Sequence, residues 1–441
     1  MTSVRLEGGL NPYPPLRRGW YAVSVLGIAM LLSFTDRLII NLLVDSIRVD
    51  LALTDTDISL LQGLGFGLIY AFCGLPMGRL ADRTNRRNLI MAAITIWSLG
   101  TVGCGLVHSF AQFFAARMVV GLGEAILVPA AASMIADYFP PSRRGAALGL
   151  FAVGAMLGSG FGITLCGWLL SAIQGGMLSG VPLVGTLPSW RSVLIIAGTV
   201  GFPLLVAVAL ISEPTRKDSA GPLRFGAMWR YVTAEHGKIA RIGLAIGIVA
   251  AGDYGLLSWL PALLERAYGY DPARTATLVG FSVSVPGIVG SVGAGALSDW
   301  IVRRRGIRAR ALVMLTAFLL CLGAGLMLTN GSATVLLSAL AIWVLGSVAG
   351  NTVGITVLQE CVPNEMRATT VAFCNMCSAL IGLALGPSSV VLAAHWISGD
   401  KGTLAAGIAA VTITAAFSGV ALIATVGVWR ASSAATRGLA G

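Results

Sequence analysis

The sequence predicts an all-α polytopic membrane protein of twelve transmembrane helices in two pseudo-symmetric six-helix bundles. Three observations carry that prediction. Of the 441 residues, 56% are hydrophobic and only 11% charged, against about 25% charged in a soluble protein. So little polar side chain cannot cover a water-facing surface, and a mean hydropathy of +0.84 points the same way. At about 35 residues for each ~20-residue helix and its connection, the length allows roughly a dozen spans. Finally, one charged turn occurs twice. Gly78 to Arg87 packs Arg79, Arg83, Arg86, Arg87 and Asp82 between two apolar runs, and Gly295-Ala296-Leu297-Ser298-Asp299 with Arg303, Arg304 and Arg305 is a degraded copy. Two copies of one turn argue for two related halves.

Span 1 starts near Trp20, after Arg17-Arg18, and runs to about Val44, interrupted by Ser33, Asp36 and Arg37. An acidic outer loop follows, with Asp45, Asp50, Asp55 and Asp57. Span 2, about Ile58 to Leu80, carries Gly63, Gly67, Gly74 and Gly78, small residues that let another backbone approach. Span 3 covers about Leu89 to Leu106, and span 4 about Ala111 to Tyr138, with Arg117 and Glu124 inside it. The inner turn Pro140-Pro141-Ser142-Arg143-Arg144-Gly145 leads into span 5, with Gly154, Gly158 and Gly162. An uncharged outer loop, about Ser171 to Ser189, precedes span 6.

Between Glu213 and Arg241 the chain turns polar, its longest charged stretch. The expected organisation is therefore a first bundle over 1–212, a cytoplasmic linker over 213–240 and a second bundle over 241–441. The linker's partial amphipathicity suits either a helix on the inner leaflet or a plain connection. Span 7 begins near Ile242, span 8 ends near Asp299 and span 9 begins near Arg310. Span 10 carries Gly346, Gly350 and Gly354. The turn Pro363-Asn364-Glu365-Met366-Arg367 mirrors Pro140 to Arg144, and spans 11 and 12 finish near Arg430. With both termini inside, about 23 of the 30 Lys and Arg fall in cytoplasmic segments, as the positive-inside rule requires. The expected location is the bacterial inner (plasma) membrane.

Several functions are excluded. The net charge of +11 sits in short loops between apolar runs with few aromatics beside it, which argues against nucleic acid. Cys374 and Cys377 form a C-x-x-C in mid-span and read as small packing residues. His108, His236 and His395 fall near loops, so no metal site is expected. Met1 to Trp20 lacks the apolar core of a secretory signal. No Ser-His-Asp set and no phosphate-binding loop with its lysine is present. The chain is therefore expected to be no enzyme, to need no cofactor and to have no ATPase engine, so uphill transport must draw on an ion or solute gradient.

At these residues the chain resembles a known superfamily. Gly78-x-Leu80-Ala81-Asp82-Arg83-x-x-Arg86-Arg87, its echo near Asp299, and Arg117-x-x-x-Gly121-x-Gly123-Glu124 resemble the signatures of major facilitator superfamily transporters. Phe34-Thr35-Asp36-Arg37, Leu61-Gln62-Gly63, Gly74-Leu75-Pro76 and Gly123-Glu124-Ala125 together resemble its spinster-like branch. That branch implies export of amphiphilic or lysolipid-type molecules, often proton-linked. Gly154-Ala155 stands where the drug antiporters usually have Gly-Pro, which weakens a multidrug reading. The resemblance implies that spans 1, 4, 7 and 10 line a central cavity. It also implies that Asp82 meets the start of span 11 when the inner side closes, and that Asp299 does the same at span 5. Arg83, Arg86, Arg144 and Arg367, in the inner turns, are grouped with them as gate residues.

Charged groups inside spans should face a cavity or a partner, because each costs about 2.5–3.5 kcal/mol at mid-membrane. Asp36, Arg37, Arg117, Glu124 and Asp253 qualify. Arg117 and Glu124 are two turns apart on one helix face, about 10 Å along the axis. Counting rise places Asp36 about 24 Å from Trp20 and Arg117 about 9 Å from Ala111, near one level, so Asp36 is paired with Arg117. Arg37 leans back toward Glu124. These groups serve either as salt bridges tying spans 1 and 4 or as a working site. Burial favours the uncharged form of a carboxyl group, as a proton switch requires. Glu124 is the first choice for coupling and Asp36 the second, with Arg37 and Arg117 as anion-binding groups. Asp253 is the one acid within a span of the second half, and Asn351 is a further cavity candidate. Trp259 either stacks on substrate or marks an interface.

The reading is a monomeric secondary transporter of a small organic or amphiphilic, anionic or lipid-like solute, working with protons in membrane lipid by alternating access. A proton-coupled organic-anion or sugar-acid symporter is the alternative within the class. A membrane sensor on a transporter scaffold is the alternative outside it, though neither terminus is long enough for an output domain.

Overall fold

Caps, prolines and glycines set the helix ends. Thr54 and Asp57 form a reciprocal capping box, Asn85 accepts from the Asn88 N–H at 2.9 Å, and Asp271 accepts from the Arg274 N–H at 2.9 Å. Each satisfies an amide that the first turn leaves without a helical partner. The computed structural model describes residues 13–425 except 182–184, 217–236, 307–308, 330, 361, 363–366 and 400–402. The expected linker over 213–240 lies mostly outside the described residues, as does the last stretch of span 12. Among the described residues every regular element is helical.

Among the described residues, eleven helices are long and apolar enough to cross a membrane. A twelfth span is the bent pair Thr370–Ala384 and Gly386–Ile397, whose pieces meet at 41°. Spans 1 to 6 are Leu16–Leu42, Asp55–Gln62 continuing as Leu64–Arg83, Arg86–Leu106, Phe110–Tyr138, Ser142–Gln174 and Ser189–Ala209. Spans 7 to 10 are Lys238–Tyr268, Pro272–Arg305, Ala309–Met327 and Ala333–Glu360, the bent pair is span 11, and Leu404–Thr425 is span 12. Phe281, Val292, Trp396 and Phe417 are exposed although apolar, a surface that suits lipid.

Span 8 departs from expectation. It runs past Asp299 to Arg305, because no residue breaks the helix before Gly306, where φ reaches 81°. Its three arginines therefore sit on the last helical turn, where positive charge complements the helix dipole. Span 5 widens into a π turn at Gly158–Gly162 as it crosses span 1. A Cβ on Gly158 would lie 2.3 Å from the Leu31 carbonyl oxygen.

The halves meet where glycines face each other. A Cβ on Gly63 would lie 2.6 Å from the Ala384 oxygen, joining span 2 to span 11. One on Gly280 would lie 2.6 Å from the Gly160 oxygen, joining span 8 to span 5. At the end away from the arginine-rich turns, the outer end on charge grounds, polar bonds add to this seam. Arg266 donates to both oxygens of Asp55 at 2.8 and 2.9 Å and to Asp45 at 2.8 Å. Gln62 donates to the Ser258 carbonyl at 3.1 Å, and Asn41 to that of Leu257 at 3.2 Å. The acidic outer loop is thus a set of partners, since Asp50 also takes Arg191 at 2.8 Å. At the inner end the ion pairs Arg86–Asp137, Arg86–Glu213, Arg310–Asp299 and Arg310–Glu360 each stay within one half. The outer seam is closed in this state.

Gly160→Val should wedge that seam open. The added atoms collide with Gly280 and Ser284 in the opposite half. Distances between spin labels at the outer ends of spans 5 and 8 should lengthen; unchanged distances would mean that the crossing tolerates bulk.

Candidate functional site

The buried charges of the first half converge around one aromatic ring. Span 4 presents Arg117, Gly121 and Glu124 on one face. Gly121 brings that face against span 2, since a Cβ there would lie 2.7 Å from the Phe66 oxygen. Phe66 consequently sits 4.9 Å from the Arg37 guanidinium and 5.0 Å from that of Arg117. Phe34 and Tyr70 add rings 4.5 and 4.7 Å from Arg37. Cation–π attraction of this kind strengthens when the cation is desolvated.

Arg37 reaches Glu124. Its Nη2 donates to Oε2 at 2.8 Å and its Nε to the same oxygen at 3.3 Å, while the Ser33 hydroxyl donates there at 2.7 Å. Among the described residues, Glu124 Oε1 and Arg117 Nη2 are buried without a hydrogen-bond partner. The cluster thus keeps one free acceptor and one free donor. From the opposite half the Tyr254 hydroxyl lies beside Arg37, so the site spans the seam.

The expected Asp36–Arg117 pair is corrected. Asp36 Oδ2 accepts from the Thr101 hydroxyl of span 3 at 3.1 Å. Arg117 Nε donates instead to the Leu61 carbonyl at 3.3 Å. Equal depth did not bring them together because they turn to different neighbours, Asp36 to span 3 and Arg117 to span 2.

In the second half, Asp253 accepts from the Trp343 indole N–H at 2.6 Å and borders a small cavity with Ser347, Asn351 and Ser378. Trp259 does not line it. Its ring is fully buried and its N–H donates to the Pro387 carbonyl at 2.9 Å, so the interface reading applies. Thr101, Tyr254 and Trp343 escaped the sequence reading, because uncharged residues in apolar runs carry no signal of their own. Only the neighbour relation of Tyr254 to Asp253 pointed that way.

Among the gate candidates, Asp82 and Arg83 are exposed at the inner end. Arg216 donates to the carbonyls of Ala81, Asp82 and Thr84 and so caps span 2. Arg86 is buried, pairing with Asp137 at 2.5 Å and Glu213 at 2.7 Å. In this state it ties span 3 to span 4 and to the segment after span 6, all within one half. Arg144 donates to the Phe139 carbonyl at 3.0 Å, at the end of span 4. Asp299 accepts from Arg310 of span 9 at 2.6 Å. Arg367 starts the helix Arg367–Cys377 that leads into span 11, and its side chain lies outside the described residues.

The family model described as Major Facilitator Superfamily matches residues 26–387. The chain belongs to that superfamily. It is a transporter and not an enzyme. A Mycolicibacterium smegmatis protein described as an MFS-type efflux pump is 28% identical over 424 residues, covering 95% of this chain and 93% of that protein. A probable L-galactonate transporter of Escherichia coli is 28% identical over 304 residues, 64% of this chain and 62% of its own. Among solved structures, a bacterial homolog of the human lysosomal transporter Spinster, inward-facing and unoccupied, superposes with a TM-score of 0.74 at 26% identity. That match covers 94% of this major facilitator chain and 96% of the other, in line with the spinster-like motifs of spans 1, 2 and 4.

Breaking the Arg37–Glu124 pair from one side leaves a buried charge uncompensated, a loss of about 3–5 kcal/mol. Arg37→Met and Glu124→Gln should each lower the melting temperature in detergent. The double variant should lose less than the two single losses together. Additive losses would show that the pair is not coupled.

Proposed function

We propose that this protein is a secondary transporter that moves an anionic organic or amphiphilic solute by alternating access, with proton coupling through Glu124. The observation that carries the reading is the buried Arg37–Glu124 pair, ringed by Phe34, Phe66 and Tyr70 and lying beside Tyr254 of the opposite half. Ionised, Glu124 holds Arg37. Protonated, it releases the guanidinium to an anionic headgroup, while the surrounding rings suit the apolar body of an amphiphile. A proton that binds with different affinity in the two states links its own movement to rocking of the halves. The closed outer seam corresponds to the inward-facing state, with both termini cytoplasmic and the monomer working in the bacterial inner membrane.

A second reading keeps the mechanism and makes the solute a compact organic or sugar acid. Arg117 favours it, because its Nη2 is buried and free, and a relative is a probable L-galactonate transporter. Flux in proteoliposomes loaded with lysolipids or with sugar acids separates the two. Binding without turnover in both would favour a sensor.

The Glu124→Gln variant in proteoliposomes should lose accumulation driven by a pH gradient and keep solute exchange, which moves no net proton. Continued uphill accumulation would transfer the coupling role to Asp36. Asp82 is proposed to meet span 11 when the inner side closes. Asp82→Asn should therefore enrich the inward-open state, lengthening label distances between the inner ends of spans 2 and 11, and equal distances would remove Asp82 from the gate.

A further inference from the structure

Asp253 has no task in the mechanism above, and its surroundings differ from those of Glu124. Trp343 donates to its carboxylate, Ser347 lines the same cavity, and among the described residues no ion pair reaches it. A carboxylate within a span and without a cation needs its charge met from elsewhere. Beside it lies a cavity of about 60 Å³, whose polar lining is Asp253, Ser347, Asn351 and Ser378. That volume suits an ion with a water or two rather than an organic headgroup.

Two features of the backbone shape the cavity. Span 11 enters a π turn at Ser378, Ser378–Ala384. Such turns loosen the helical ladder and recur at functional sites. Gly382, within that turn, lets span 11 lie against span 7, because a Cβ there would fall 2.6 Å from the Ala250 side chain. Asn351, which lines the cavity, is exposed, so the cavity is not sealed. The Trp343 N–H holds Oδ1 at 2.6 Å and so fixes the carboxylate's orientation beside the cavity.

We propose that Asp253, Ser347, Asn351 and Ser378 form a sodium site in the second half, separate from Glu124. The donor set is hard oxygen, as an alkali cation requires. Its single carboxylate balances one positive charge, whereas divalent sites usually draw on more.

The test uses the purified full-length protein in detergent, at fixed pH and ionic strength, with choline exchanged for sodium. Sodium should raise the melting temperature saturably, and ²²Na⁺ should bind in a scintillation proximity assay. Both signals should persist in Glu124→Gln and vanish in Asp253→Asn. Ser347→Ala and Ser378→Ala should weaken sodium binding about tenfold or more, and they decide the matter should Asp253→Asn fail to fold. A melting temperature indifferent to sodium would overturn the site and leave a proton as the neutralising charge. Sodium binding retained in Asp253→Asn, or unweakened in both serine variants, would overturn it equally. Binding is read without solute, so failure here leaves the Glu124 reading untouched.

Discussion

The pairing of Arg37 with Glu124 is the interaction on which the first half depends. Neither charge has water to return to within a span, so each is stable there only while the other is in place. That requirement brings span 1 against span 4 and sets Phe66 of span 2 between the two arginines. Ser33 completes the coordination of the shared carboxylate oxygen at 2.7 Å. Among the described residues the second Glu124 oxygen has no hydrogen-bond partner, and neither has one nitrogen of nearby Arg117.

The seam between the halves obeys a different rule. Lipid supplies no hydrophobic drive between helices, so close approach of small residues replaces it. Gly63 and Gly67 against Ala384, and Gly160 against Gly280, give backbone-to-backbone crossings at two places. The polar bonds of Arg266, Gln62 and Asn41 lie at one end only. A seam tied by such bonds at one end and, among the described residues, free of them at the other is suited to rocking without disturbing either bundle.

The inner ends repeat one device in both halves. Arg86 at the start of span 3 holds Asp137 at the end of span 4, and Arg310 at the start of span 9 holds Glu360 at the end of span 10. Each arginine joins two neighbouring helix ends, so each half keeps its shape as a unit. The strap 213–216 strengthens this in the first half. Glu213 accepts from the Arg87 N–H at 2.9 Å, while Arg216 binds the carbonyls that end span 2. A negative group at a helix start and a positive one at a helix end both complement the dipole.

The sequence by itself determined the twelve spans, the two-fold repeat and which charges lie in the membrane. Those properties are one-dimensional: a bilayer selects apolar runs of a set length, and charges within them stand out. Counting rise along the helices also placed Asp36 and Arg117 at a similar depth. Only the tertiary structure decided which way each side chain turns about its helix axis. Partners therefore went astray where depth alone had been used: Asp36 bonds Thr101, and Arg117 the Leu61 carbonyl. Trp343 and Tyr254 became visible only when spans 7, 10 and 1 were brought together, because an uncharged residue in an apolar run looks the same in sequence whether it faces lipid, core or cavity.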